Sequence, residues 1–222
     1  MRLHASFKDR ILAPGFPCVA ARSVFNRTTY RMSLCGELGS AESARAICHD
    51  LYEFAHEFLR PGIDQRPGRF VSFIAAFRTT AIHCEADFER LLWRQLQAMH
   101  DIDVQHFDWD PTVNKHPEHA AFSFSIGGHA YFVVGLNPCA SRRARFADHA
   151  CIVFNPHAQF EQLRAQGKFV LLQHAIRERD LAFQGSVNPM LSDHGEASES
   201  HQYSGRAVPS HWRCPFHHQD LS

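Results

Sequence analysis

The chain has no charge excess of either sign. Lys plus Arg and Asp plus Glu stand at 23 each, so it lacks the basic surplus on which nonspecific nucleic-acid binding draws. No apolar run approaches the length of a membrane span, so neither nucleic acid nor membrane is expected as a partner. The opening Met1-Arg-Leu-His-Ala-Ser-Phe-Lys-Asp-Arg10 has no apolar centre of the kind a secretory signal needs. The seven cysteines are odd in number and scattered, without a Cys-x-x-Cys pair. Scattered thiols behind no export signal suggest a reducing, cytoplasmic setting rather than a disulfide framework. Three catalytic signatures are also missing. There is no Gly-x-Gly-x-x-Gly turn, no Gly-x-Ser-x-Gly nucleophile elbow and no His-Glu-x-x-His helix. Dinucleotide binding, α/β-hydrolase chemistry and zincin-type proteolysis are therefore unsupported.

What is present is an ordinary globular composition over 222 residues, 45% hydrophobic and 21% charged. That is enough chain to bury a substantial core. Histidine reaches 17 and phenylalanine 19. Abundant imidazole admits a metal or haem site, and abundant phenyl rings suit an apolar cavity or a well-packed core.

Patterning along the chain predicts a single α+β domain, with a mixed, largely antiparallel sheet backed by helices. Residues 1–14 read as a loose arm, 15–185 as the core, and 186–222 as a C-terminal segment packed on it as a lid or pocket wall. Residues 16–21 and 28–34 read as strands. From Ala41 to Leu59, Ile47, Leu51, Phe54 and Phe58 recur at helical spacing. Arg69 to Phe77 is apolar almost throughout, as a central strand would be. Phe88, Leu92, Leu96 and Met99 line one face of a second helix, from about Glu85 to His100. Gly127-Gly128 joins two alternating runs, 121–126 and 129–136, as a hairpin. Cys151 to Phe154 is a short strand that breaks at Asn155-Pro156 and releases a helix. A last helix covers 168–184.

Several side chains could carry chemistry. His157 stands where the strand ends, either as a helix-start residue or as a metal-capable group. His100 lies on a rigid helix, as a core residue or facing a cavity. His116 and His119 form a local pair on a polar loop. Ser141-Arg142-Arg143-Ala144-Arg145 is a compact cationic loop, either solvated or an anion clamp. The polar tail concentrates Asp193, His194, Glu196, Glu199, Tyr203 and Arg206.

Taken together, Phe16-Pro17-Cys18, the Phe122-Ser-Phe-Ser-Ile-Gly-Gly hairpin, Asn137-Pro138 with Ser141-Arg142-Arg143, and Phe154-Asn-Pro-His-Ala-Gln-Phe-Glu161 resemble the YqcI/YcgG family. Asn188-Pro-Met-Leu-Ser-Asp-His-Gly-Glu196 and Gln202-Tyr-Ser-Gly-Arg206 resemble its branch of haem-dependent N-hydroxylases. The resemblance implies haem b, dioxygen, an external electron donor such as a ferredoxin or flavin reductase, and a small cationic guanidino or amino substrate. It leaves homodimerisation open. On this resemblance His157 ranks first as iron ligand, followed by His100, His116 and His194, with Cys18 as the thiolate option. Arg142 and Arg143 become the propionate partners. Asp193, Glu196, Glu199, Tyr203 and Arg206 become the substrate set, and His157, Asp193 and Glu196 the catalytic set. A non-catalytic haem sensor and a non-haem metal hydrolase using His116 and His119 are the competing readings.

Overall fold

The computed structural model describes residues 2–60, 68–190 and 197–219. In chain order its elements are α1 (Arg2–Leu12), α2 (Val19–Arg27), β1 (Tyr30–Cys35), α3 (Ala41–Phe58), β2 (Ser72–Phe77) and α4 (Glu85–Asp103). They continue with β3 (Phe124–Ile126), β4 (His129–Leu136), β5 (Cys151–Pro156), α5 (His157–Ala165), α6 (Phe169–Gln184) and the short α7 (Ser200–Tyr203). The strands form one sheet in the order β1-β2-β5-β4-β3. Only β1 and β2 run parallel, so the sheet is mixed and largely antiparallel and the fold is α+β.

Two expectations for the start of the chain give way. Residues 2–12 are helical, because Phe7 and Ile11 lie on one face and are buried there. Phe7 packs its ring 5.7 Å from that of Phe25 on α2. Residues 16–21 do not form a strand. Cys18 instead caps α2, its Sγ accepting the Ala21 N–H at 3.4 Å. A side-chain acceptor at the N-cap satisfies an amide that the helix itself leaves open, and this local bond overrides weak strand propensity.

Side chains alternate across the sheet and create two cores. On one face, α3 and α4 cover Phe73, Phe77, Phe124, Tyr131, Val133 and Phe154. On the other, α1 and α2 cover Ile74, Ala76, Leu136 and Cys151. Neighbouring residues thus serve opposite cores: Phe73 pairs with Phe154, and Ile74 with Val153.

Residues 197–219 are part of the first core, not a layer laid over it. Tyr203 and Phe216 are fully buried. Their attachment centres on Glu89 of α4, itself buried. Its carboxylate accepts from Arg206 Nη2 at 2.6 Å, Arg206 Nε at 3.1 Å, Ser204 Oγ at 2.8 Å and Trp212 Nε1 at 3.2 Å. Gly135 of β4 makes the close approach possible. A Cβ there would lie 2.6 Å from Phe88 Cε1 and 2.8 Å from the Tyr203 carbonyl.

Candidate functional site

The second face of the sheet is incompletely filled. Val134 and Val153 belong to the two middle strands of that region, where neighbours on both sides should bury them, yet both are only half-buried. They form the floor of an apolar chamber of about 280 Å³. The residues before and within α2 make one wall, with Cys18 and Ala21, and α6 makes another, with Leu172 and Ile176. Asp180 is the one buried residue of α6. Leu172, Ile176 and Asp180 follow at intervals of four, so one helical face presents two aliphatic side chains and a carboxylate to the same space. Ser72 and Asn155 add a polar patch on the floor, where the serine hydroxyl donates to Asn155 Oδ1 at 2.7 Å.

Three charged or nucleophilic groups meet at this chamber from distant parts of the chain. The first is Cys18. Burial pushes its thiol up from the ordinary range, while the Ala21 and Ala20 amides and the nearby Arg145 cation act in the opposite sense. The second is Arg145. Its guanidinium donates to the carbonyls of Gly135 at 3.2 Å, Tyr203 at 3.3 Å and Gln202 at 3.0 Å. Among the described residues it has no carboxylate partner. Burial lowers its pKa to about 10, which still leaves it a cation at neutral pH. The third is the pair of Arg142 and Asp180. Arg142 Nη2 donates to Asp180 Oδ2 at 2.5 Å, and the guanidinium also holds Ser186 through Oγ at 2.9 Å and the carbonyl at 2.7 Å.

The other expected site residues lie elsewhere. Arg143 is exposed, with its guanidinium 4.5 Å from the centre of the Phe183 ring and its Nη1 donating to the Phe183 carbonyl. His157 is buried at the β5–α5 junction and is not on the chamber wall. Its Nδ1 faces Glu161 at 3.7 Å and its Nε2 faces Glu199 at 3.6 Å. His100 belongs to the opposite core, where its Nε2 accepts the Gln219 N–H at 3.0 Å, and burial lowers its pKa to about 4. His116 and His119 are exposed. Among the described residues, no three His, Cys, Asp or Glu side chains form a group able to hold a metal ion.

Of the tail residues, Glu199 lies between His157 and the Tyr203 hydroxyl, which donates to it at 3.4 Å. Tyr203 is sealed in the first core, its ring stacked on Trp93 with centroids 5.6 Å apart. Arg206 is committed to Glu89. Asp193, His194 and Glu196 lie outside the described residues.

Of the sequence-derived candidates, the structure thus places Cys18 and Arg142 on the chamber. It adds Arg145, read in the sequence only as part of the cationic loop, and Asp180, which the sequence did not single out. The signal for Arg145 was its place in the same cationic loop. The signal for Asp180 was a carboxylate continuing an apolar i, i+4 stripe.

These features define an α+β protein built on one mixed sheet, with an apolar chamber under α6 whose wall carries a thiol, two arginines and one carboxylate. The chain matches the model of the YqcI/YcgG family over residues 7–217 and belongs to that family. It is 26% identical over 214 residues to the uncharacterized protein YcgG of Bacillus subtilis (strain 168), covering 92% of this chain and 81% of that one. It is also 26% identical over 163 residues to the putative N(omega)-hydroxy-L-arginine synthase DcsA of Streptomyces lavendulae, covering 70% of this chain and 60% of that protein. No solved structure matches it. No helix among the described residues is long and apolar enough to cross a membrane.

Proposed function

We propose that this protein is a haem-dependent N-oxygenase. It hydroxylates a nitrogen of a guanidino or amino compound, using dioxygen and electrons from an external donor such as a ferredoxin or flavin reductase. The observation that carries the reading is the chamber, an apolar space whose wall combines a soft sulfur donor with a half-buried arginine that no carboxylate among the described residues contacts. The name of the Streptomyces lavendulae relative supports nitrogen hydroxylation and the guanidino class.

Haem b fits this donor set. Val134, Leu136 and Val153 on the sheet floor offer the apolar surface a porphyrin needs. Arg145, which donates only to backbone carbonyls among the described residues, would offer a propionate a cationic partner. Cys18 would hold the iron through its sulfur, which binding would deprotonate. Cys18 therefore moves ahead of His157 and His100, neither of which lines the chamber.

When bound, haem b supplies the activation of dioxygen. The chain's own residues do the remaining work. The aliphatic floor and the inner face of α6 exclude bulk water, which strengthens every charge interaction inside. The Ala21 N–H directed at the Cys18 sulfur stabilises its deprotonated form. The Ser72–Asn155 pair offers the polar contacts on the floor that orient a substrate.

The test is reconstitution with haemin followed by turnover. The expected result is a Soret band that Cys18→Ala abolishes or displaces, and an N-hydroxylated product from arginine or a simpler guanidine given oxygen and a reductant. A protein that takes up no haem would overturn the proposal. A protein that takes up haem yet leaves every guanidine and amine unchanged would reduce it to a haem carrier.

A further inference from the structure

We infer that Asp180 is the anchor for the cationic head of the molecule the chamber takes, and that Arg142 is its built-in competitor. The inference rests on the guanidino reading above and assigns the residue that recognises the charge.

Asp180 lines the chamber, and its side chain is 8% exposed. Both hydrogen bonds it receives fall on one oxygen: Oδ2 accepts from Arg142 Nη2 at 2.5 Å and from the Asn188 N–H at 3.2 Å. Oδ1 has no hydrogen-bond partner among the described residues. A carboxylate offers about four lone-pair sites and can take a guanidinium on two oxygens at once. Here Oδ2 carries both bonds, and Oδ1 keeps its acceptor capacity for a further donor.

The present occupant is itself a guanidinium. Arg142 reaches Asp180 through Nη2 while the same group is held by Ser186 Oγ and the Ser186 carbonyl. Arg142 therefore retains two acceptors if its contact with Asp180 loosens. A ligand guanidinium in the chamber would use Oδ1, which has no donor among the described residues, and compete with Arg142 for Oδ2. Leu172 and Ile176, one and two turns earlier on the same face of α6, would cover the ligand's aliphatic portion. This layout, a carboxylate at one end of an aliphatic stripe, selects a cation on an apolar stem.

The two residues make opposite predictions, which a structural salt bridge would not. Holoprotein is titrated with L-arginine and with L-citrulline, its neutral ureido isostere, by the Soret shift and by calorimetry. Asp180→Asn should weaken arginine at least about tenfold, the worth of one hydrogen bond to a charged group. It should leave citrulline nearly unchanged. Arg142→Gln removes the competitor and should tighten arginine by a comparable factor. The double variant Arg142→Gln/Asp180→Asn leaves no unpaired buried charge, so it guards against a single variant that fails to fold. It should bind arginine as weakly as Asp180→Asn does.

Equal arginine affinity in the parent and the double variant would overturn the inference, as would weakening by Arg142→Gln. Haem uptake with no difference among the variants removes the anchor and leaves the proposed function standing. Absence of haem uptake removes the proposed function, and the calorimetric comparison still decides Asp180.

Discussion

Arg206→Met tests whether the tail is a fixed wall or a movable cover. The guanidinium makes two hydrogen bonds to Glu89, through Nη2 and Nε, and the variant keeps the aliphatic stem while deleting both. Glu89 then stays buried with only Ser204 Oγ and Trp212 Nε1 as donors. Removing one partner of a buried ion pair costs about 3–5 kcal/mol. The Arg206 side chain is 25% exposed and that of Glu89 10%. Solvent screening on the arginine side reduces the expected loss to about 2–3 kcal/mol. For a domain of this size that lowers the melting temperature by roughly 4–12 °C. Urea unfolding read by tryptophan fluorescence is the assay, since Trp93 and Trp212 lie 6.2 Å apart beside this cluster. Glu89→Gln combined with Arg206→Met should recover part of the loss, because a neutral amide still accepts from Ser204 and Trp212. An Arg206→Met protein within about 0.5 kcal/mol of the parent would refute the reasoning, since that is the scatter of ordinary surface changes. The tail would then be a detachable layer.

Three further outcomes follow from the same geometry. His157→Ala should retain haem binding with an unchanged Soret position, because the ring is not on the chamber wall; loss of the band would restore His157 as the ligand. Gly135→Ala should destabilise the fold by about 1–3 kcal/mol, the cost of overpacking, and a neutral effect in chemical denaturation would contradict the contacts with Phe88 and Tyr203. Asp103 gives a pH signature. Burial raises its carboxyl from the ordinary 3.8 to about 6, against the opposing bonds from the Gly127 N–H and Tyr52 hydroxyl. A raised acid favours the folded state while protonated, so this contribution is complete below pH 3.8 and is lost as pH rises through 6. About two units correspond to roughly 3 kcal/mol at most. Asp103→Asn keeps an acceptor for both donors, so it should remove that slope from a pH series of unfolding midpoints; a persistent slope would assign it to other groups.

If the chamber holds haem, the fold explains how one sheet serves two purposes. Its α3–α4 face is filled by aromatic side chains and by the returning tail, which supplies rigidity. The α1–α2–α6 face leaves space, because α6 turns only a narrow stripe inward and keeps Val170, Leu171 and Leu181 outside. The chamber then lies on the less filled side of a sheet braced from behind.

The elements legible in the sequence were those specified by local periodicity. The α3 and α4 helices, the Gly127-Gly128 hairpin and the strand from Cys151 each carry their pattern within a few residues and form there, although β3 is confined to Phe124–Ile126 and β5 runs on through Asn155 to Pro156. The family, too, was legible, because its motifs are short and contiguous. Legibility failed where a nonlocal partner decides the outcome. Residues 2–12 look like a loose arm until Phe25 supplies a surface for Phe7. Residues 16–21 look like a strand until Cys18 finds the Ala21 amide. The candidate site shows the same division. Cysteines, histidines and arginines could be named from the sequence, but their ranking required knowing which side of the sheet each one faces. His157 follows a strand directly and yet turns toward Glu161 and Glu199, while Cys18, more than a hundred residues away, meets Arg145 and Asp180 across the chamber. Residue order sets which chemical groups the protein possesses and the regular elements that carry them. The tertiary structure alone decided which of those groups share one low-dielectric space, because that depends on sheet order and helix placement, which no local pattern encodes.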